Sequence, residues 1–500
     1  MNFFDVLAIL LIFALSFSVR IWKISYPDCV VFDEFHFGQF INDYHDGNYF
    51  FDIHPPTCKL LLYFFSSITQ YDGSLSFQNP NSQYCNEYYV FLRIIPAILT
   101  SFVPVFIFVM LKNINLSSFG SLFGSFLLIF EHSLISQSKF ILIEGIQHFF
   151  VSFHLLLLSI NISNFSETTS NSKKEFFVNF FIHFFHHCLL GVSLGLCISC
   201  KMTAFSLIPF TIIGKLTKIN FSSIFNIIVM VFVSFSILIT MFIIHLKMLP
   251  NPTHDLCFIH SSFQDKQSNN STNYLKDAIT TFFSMNRINQ RNKQFHPYMS
   301  HPSSWPFLRG IWVGMWINED GNSQINCMGN VFVYYSVLLG LIIRIIQISL
   351  LLFSFFKQIY EIYKKSKKSS PRISFITQFL TSLINGLFIT SNNIGLISIL
   401  GWIFAYFPFY FVKRTTFLYH YQIALIFGII NFCYCFDNHK LIILFASFFS
   451  IYGFIYWKPF LYGDYLSEIQ IMKLVWTKLW RYGDERHKNL VENFFDDFHF

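Results

Sequence analysis

Two carboxylates stand side by side in Val31-Phe32-Asp33-Glu34-Phe35-His36-Phe37-Gly38, soon after an apolar run that ends at Val19. Acids at the mouth of a membrane helix are costly to place, so such a pair invites a functional reading. Adjacent residues on a helix point ~100° apart, which gives the two acids different jobs. One would take a proton from an incoming hydroxyl while the other orients a partner. The competing reading is a hydrated acidic loop with an incidental histidine. The next segment, Tyr49-Phe50-Phe51-Asp52-Ile53-His54-Pro55-Pro56-Thr57-Cys58-Lys59, shifts the balance toward chemistry. Its two prolines fix a rigid, extended stretch that would hold His54 and Asp52 close to the acid pair.

The elements that must position these groups follow from composition. Of the 500 residues, 53% are hydrophobic, only 12% are charged and 69 are Phe. The mean hydropathy is +0.49. A soluble domain averages about a quarter charged. Stretches such as Phe3 to Val19, Asn226 to Ile244 and Val331 to Phe356 have no polar face and are long enough for the ~20 residues that span a bilayer. The chain therefore reads as an all-α polytopic membrane protein. The first apolar stretch lacks a basic leader and a small-residue cleavage site, and is expected to be a spanning helix. About eleven crossings are expected, at roughly 3–22, 88–111, 117–136, 140–160, 180–199, 202–217, 222–246, 331–356, 385–412, 415–436 and 440–457. The stretch 373–412, interrupted by Ser391, Asn392 and Asn393, has room for two.

Basic loops set the orientation, and Lys173, Lys174, Lys215, Lys218 and the Lys364–Lys368 cluster are expected on the cytoplasmic side. Residues 24–87 and 247–330 then face the other way, the second carrying the overlapping glycosylation acceptors Asn269-Asn270-Ser271-Thr272. The expected division is an N-terminal transmembrane module, 1–246, holding the first loop 24–87; a large loop, 247–330; a C-terminal module, 331–465; and a tail, 466–500. Nothing in the basic run suggests nucleic-acid binding, since aromatics are not interleaved with it. Of the ten Cys, Cys197 and Cys200 lie in an apolar helical stretch and read as small core residues. Cys29, Cys58, Cys85, Cys257 and Cys327 fall in non-cytoplasmic loops, with no pairing specified.

D-E-F-H-F-G (Asp33 to Gly38) and F-F-D-I-H-P-P-x-x-K (Phe50 to Lys59), directly after a first helix, resemble the first lumenal loop of protein O-mannosyltransferases. The likeness continues along the whole chain. Tyr88, Arg93 and Pro96 resemble the family's second helix with its buried Arg. Ser138-Lys139 to Glu144 resembles its S-R-x-x-L-L-D segment, with Lys for Arg and Glu for Asp. Gly195 to Lys201 matches G-x-x-x-S-x-K. His296-Pro297-Tyr298, Ser304-Trp305-Pro306, Tyr406 to Phe409, Arg414-Thr415, Phe417 to Tyr421 and Tyr462-Gly463-Asp464 resemble its later segments. Where members of the family usually carry a β-trefoil MIR domain, only the polar stretch from Asp265 through Lys276 stands here.

The resemblance implies a GT-C type glycosyltransferase in the endoplasmic reticulum membrane. It would move mannose from dolichyl phosphate mannose to Ser or Thr hydroxyls of acceptor proteins, with inversion, at a lumenal site. No cofactor or metal enters this scheme, and a dimer with itself or a relative is implied. The Asp33–Glu34 pair supplies the base, Asp33 favoured, while Glu34 orients the acceptor or a cation. His54, Asp52 and Trp305 are expected at the acceptor. Trp312 and Trp316 are assigned to an interfacial belt. Arg93, Lys139, Lys201 and Arg414 are the candidates for stabilising the departing phosphate, a role in which cations gain strength in a low-dielectric site. Three rivals are a transferase using the same donors on a glycolipid or oligosaccharide, a transporter, and a non-catalytic subunit of a paired transferase. The first would lack the H-P-P-x-x-K, S-W-P and L-Y-H-Y segments; the second would place its ions mid-helix; intact acids and cations argue against the third.

Overall fold

A computed structural model describes residues 2–160, 173–216, 221–251, 273–291, 295–366, 394–477 and 479–480. The chain is a multi-span helical membrane protein. The first helix, α1 (Phe3–Ile21), opens on a reciprocal cap: the Asn2 side chain accepts from the Asp5 amide at 2.9 Å, and the Asn2 amide donates back to Asp5 at 3.1 Å. Its buried stripe is Asp5, Ala8, Ile12, Ser16 and Arg20, one face of a helix. The remaining apolar faces, such as Phe3, Leu10 and Leu11, are exposed, as a lipid-facing helix requires.

The helices that follow are α2 (Glu34–Asp46), α3 (Thr57–Ile68), α4 (Tyr88–Ser101), α5 (Val103–Asn113), α6 (Ser118–Ile129), α7 (His132–Ser136), α8 (Ile143–Ser159), α9 (Lys173–Ile198), α10 (Leu207–Lys215) and α11 (Phe221–Met248). After α12 (Tyr274–Arg291) comes a hairpin of β1 (Val313–Ile317) and β2 (Gln324–Cys327). The C-terminal part is α13 (Val331–Ser366), α14 (Ile394–Tyr406), α15 (Gln422–Phe436), α16 (Lys440–Tyr462) and α17 (Glu468–Leu474). Among the described residues seven segments are long and apolar enough to cross a membrane. Four of the other expected crossings, at Ser118–Ile129, Ile143–Ser159, Met202–Lys215 and Ile397–Tyr410, are shorter apolar helices.

Three details of the elements differ from expectation. The crossing expected at 88–111 is one apolar segment, Tyr88–Asn113, but within it α4 gives way to α5 at Phe102, where Pro104 sits in the first turn of α5 and has no N–H to continue the earlier ladder. The helix expected at 117–136 breaks at Phe130, because the Glu131 side chain caps α7 by accepting from the Leu134 amide at 2.8 Å. The all-α fold also carries a short hairpin. β1 and β2 pair antiparallel, Val313 with Cys327 and Ile317 with Gln324, with a register shift between Gly314 and Trp316. Residues 373–393, Lys218, Cys257 and the Asn269–Thr272 acceptors lie outside the described residues, as does any question of one or two helices there. The described cysteines are all free thiols.

One apolar core joins the two halves of the bundle. A second gathers Val31, Phe37, Leu62, Leu92, Ile141 and Ile325, so that the first loop, the start of α8 and the hairpin share one interior. That second core is the bed of the acid pair.

Candidate active site

The first loop is wound around Arg93. The Arg93 guanidinium, wholly buried on α4, donates to the carbonyls of Pro27 at 2.7 Å, Cys29 at 2.8 Å and Ile24 at 3.3 Å. Its Nε and Nη2 donate to the two oxygens of Glu34 at 2.8 Å each. Glu34 also accepts from the Val31 amide at 2.8 Å, the Tyr84 hydroxyl at 3.0 Å and the Ile141 amide at 3.0 Å. Both carboxylate oxygens are therefore saturated, which a buried charge needs. Arg93, expected at the phosphate, thus has its donors on Glu34 and three loop carbonyls.

Asp33 has a different fate. It sits at the N-cap of α2, yet its side chain makes no capping bond. Phe32 before it is held at φ +51°, a left-handed conformation that is unfavourable for a bulky residue and turns the chain sharply at the acid pair. Burial pushes the Asp33 carboxyl up to about 7, helped by the neighbouring carboxylates of Glu144 and Asp52 and opposed by Lys201. A carboxylate so tuned is a better proton acceptor near neutral pH than an ordinary aspartate.

The following segment is pinned to a different part of the bundle. The Thr57 amide donates to the Ser199 carbonyl at 3.0 Å, and the Thr57 hydroxyl to the Ser199 hydroxyl at 2.7 Å. Lys59 is buried, forms an ion pair with Asp52 and donates to the His54 carbonyl at 2.7 Å. Asp52 is thus held by a cation of its own segment. The His54 ring is kept neutral, its pKa well below the usual range, by burial and by the surrounding Lys201, Arg414 and Lys59. Its Nδ1 is buried without a hydrogen-bond partner among the described residues.

Ser199 leads directly to Lys201, whose Nζ lies 2.5 Å from Glu144 on α8 and 5.1 Å from the centre of the Tyr419 ring. His54, Lys201, Arg414 and His420 border a cavity of about 1010 Å³, with Phe404 and Val412 among its apolar walls. From α12, Asn289 accepts a hydrogen bond from Arg414 and also borders this cavity. Lys201 and Arg414 are the expected cations that reach it. Lys139 does not: it donates to the Trp22 carbonyl and lies over the Tyr462 ring at 4.3 Å.

Two tryptophans are also placed differently from expectation. Trp305 is fully buried, with its indole N–H bonded to the Ser300 hydroxyl at 2.9 Å and its ring 6.3 Å from His420. It stands behind the cavity wall. Trp312 is interior too, stacked on Trp480 at 4.2 Å, and so is not part of an interfacial belt. Glu144 and His420 fell within family-like segments of the sequence but were given no role there, and Asn289 was not singled out. Glu144 carried a signal, being an acid in the first turn of an otherwise apolar helix.

Two family models match the chain, one described as dolichyl-phosphate-mannose-protein mannosyltransferase over residues 10–249, the other as the C-terminal four-transmembrane region of protein O-mannosyltransferase over residues 274–480. The chain belongs to the protein O-mannosyltransferase family. Among curated family members, dolichyl-phosphate-mannose--protein mannosyltransferase 4 of Schizosaccharomyces pombe is 38% identical over 141 residues, 28% of this chain and 18% of that protein. Mannosyltransferase 4 of Candida albicans is 32% identical over 197 residues, 39% of this chain and 25% of that one. Protein O-mannosyl-transferase 2 of Danio rerio is 37% identical over 141 residues, 28% and 19% of the two chains. Each alignment thus spans a quarter or less of the relative. In fold, this family member is similar to a chain of the Saccharomyces cerevisiae Pmt1-Pmt2 complex bound to the sugar donor. The TM-score is 0.73, with 16% identity, covering 98% of this chain and 95% of that one.

Proposed function

We propose that this protein transfers mannose from dolichyl phosphate mannose to Ser and Thr hydroxyls of proteins. The observation that carries the reading is Asp33, an uncapped carboxylate raised to about 7 and within electrostatic reach of Lys201, which borders a large cavity with apolar walls. The apolar walls suit a polyprenyl carrier, and Lys201 and Arg414 suit its phosphate. The family membership and the names of the relatives support the same reading.

In the proposed step the acceptor oxygen attacks C1 of mannose from the face opposite the phosphate. Its proton passes to Asp33, and the C1–O bond breaks with both electrons leaving on dolichyl phosphate. A β-linked donor then gives an α-mannoside. Glu34 does not touch substrate in this scheme; it fixes Asp33 by binding Arg93. His54, neutral and with a bare ring nitrogen, is assigned to the acceptor.

The site is assigned to the lumenal side of the endoplasmic reticulum membrane. Lys112, at the end of α5, lies 3.7 Å from Asp5 at the start of α1, whereas the acid pair follows the end of α1; Lys215, at the end of α10, donates to the Leu158 carbonyl near the end of α8, whereas Glu144 lies at its start. Basic residues favour the cytoplasmic side. By analogy with the Pmt1-Pmt2 complex, a family relative is the proposed partner.

The test is transfer of labelled mannose from dolichyl phosphate mannose to a Ser/Thr peptide in membranes. Alkali-releasable mannose is expected with the wild type and should be lost with Asp33→Asn. Label confined to lipid would refute protein as the acceptor.

A further inference from the structure

His420 lies in the short turn Leu418–Tyr421 that enters α15, six residues after Arg414. The Phe417 amide donates a hydrogen bond to His420 Nδ1 at 2.9 Å. An amide N–H can only donate, so Nδ1 must be the bare, accepting nitrogen. The ring proton is therefore on Nε2. A cationic ring would set two donors against each other at that contact, so the geometry holds the ring neutral in one tautomer.

The ring is also fixed in direction. It packs against Phe409 at 5.4 Å, Tyr419 at 4.8 Å and Trp305 at 6.3 Å. Behind it, the Ser300 amide donates to the Thr416 carbonyl at 2.9 Å and the Thr416 hydroxyl to the Ser300 carbonyl at 2.8 Å. Trp305 is anchored to the same Ser300. The stretch entering the turn is thus tied to the 300–305 segment by two bonds, and His420 is 6% exposed where it borders the cavity with Lys201 and Arg414. A neutral donor held rigidly at an otherwise cationic site is the arrangement that stabilises developing anionic charge without reorganisation.

We propose that His420 is a further catalytic residue: its Nε2–H donates to a phosphoryl oxygen of the lipid-phosphate donor as the bond to the sugar breaks. Arg414 and His420, six residues apart and both bordering the cavity, then form a clamp for the phosphate together with Lys201. Lys201 is shared with Glu144, whereas His420 offers a donor that carries no net charge. The inference rests on the mannosyl-transfer reading above.

Two substitutions separate donation from packing. The amide of Gln places an N–H near the position of Nε2, whereas that of Asn reaches only as far as Nδ1. In the full-length purified chain, His420→Asn is expected to lower kcat on the order of 10²-fold, the usual loss for one such donor. His420→Gln should stay near wild type, although it lacks the ring. Melting temperatures of both variants exclude misfolding. If His420→Asn does not fold, His420→Gln still decides, because a packing role predicts its failure. Equal loss in both folded variants, or none in either, would overturn the proposal. Binding of radiolabelled dolichyl phosphate is measured in parallel on the same proteins. Binding that weakens in His420→Asn and recovers in His420→Gln supports the clamp even if the wild type transfers no mannose, an outcome that would remove only the mannosyl-transfer reading. Binding indifferent to residue 420 removes the clamp.

Discussion

Glu34 and Arg93, 59 positions apart in sequence, form a two-pronged pair with both Arg93–Glu34 contacts at 2.8 Å and no exposure of either side chain. The remaining Arg93 donors close on three carbonyls of the loop that leads to Asp33. The pair makes the geometry of the neighbouring acid a property of α4 as much as of α2.

Arg93→Lys should therefore fail although charge is conserved. An ammonium cannot reproduce the planar fork or reach the carbonyls as well as Glu34. Acceptors left unsatisfied in the buried loop cost ~1–3 kcal/mol each. A clear fall in the melting temperature of the detergent-solubilised protein is expected, together with loss of transfer. An unchanged melting temperature would show that the loop is held by other contacts.

Asp33→Asn is expected to behave oppositely. The Asp33 side chain makes no cap bond, so stability should barely change. Transfer should fall ~10²–10⁴-fold, the range for losing a general base. The wild type should also lose activity as pH falls through about 7, because only the unprotonated carboxylate accepts the hydroxyl proton and burial has raised this group to that value. A rate that is flat from neutral pH to well below it would exclude Asp33 as the base.

Glu144→Gln tests the contribution to that elevation that comes second to burial. It removes a neighbouring anion and also releases Lys201 from its 2.5 Å partner. Both changes favour the Asp33 carboxylate. The acidic limb of the pH–rate profile should move to lower pH; movement to higher pH, or none, would place Glu144 outside the field that Asp33 experiences.

What the sequence showed and hid follows from the range of each interaction. The adjacency of Asp33 and Glu34 is local and was readable; the His54-Pro55-Pro56 stretch, expected to be extended, instead bends, with Pro56 already in the helical region before α3. Which acid stays available depends on Arg93 and Ile141, which only the fold brings to Glu34. Arg93 and Lys201 looked alike as bases within apolar runs. The first is enclosed by carbonyls while the second borders a cavity, and no local pattern separates those outcomes. α2 and α3 escaped notice because they are short helices packed on each other in the first loop rather than spans. The hairpin was hidden because the four residues Gln324–Cys327 are all buried, leaving no alternation to read. The break between α4 and α5, by contrast, was available in Pro104.

The last prediction concerns how Lys201 is delivered. α9 approaches α11 so closely that a Cβ on Gly195 would lie 2.6 Å from Cβ of Ile237 and 2.8 Å from the Ser234 carbonyl oxygen. Gly191, one turn earlier, faces the Met230 carbonyl oxygen at 2.6 Å in the same way. Small residues four apart let membrane helices meet backbone to backbone, where packing rather than the hydrophobic effect holds them. Gly195→Ala must therefore part the helices, at a cost of ~1–3 kcal/mol for an overpacked contact. Ser199 and Lys201 follow directly from the end of α9, and Ser199 anchors Thr57. Parting α9 from α11 should accordingly raise the KM for the lipid donor as well as lower the melting temperature. Measuring both in one variant separates the outcomes: a stability loss with an unchanged donor KM would mean that the Lys201 turn is held by Thr57 and Gln147 independently of the helix that precedes it.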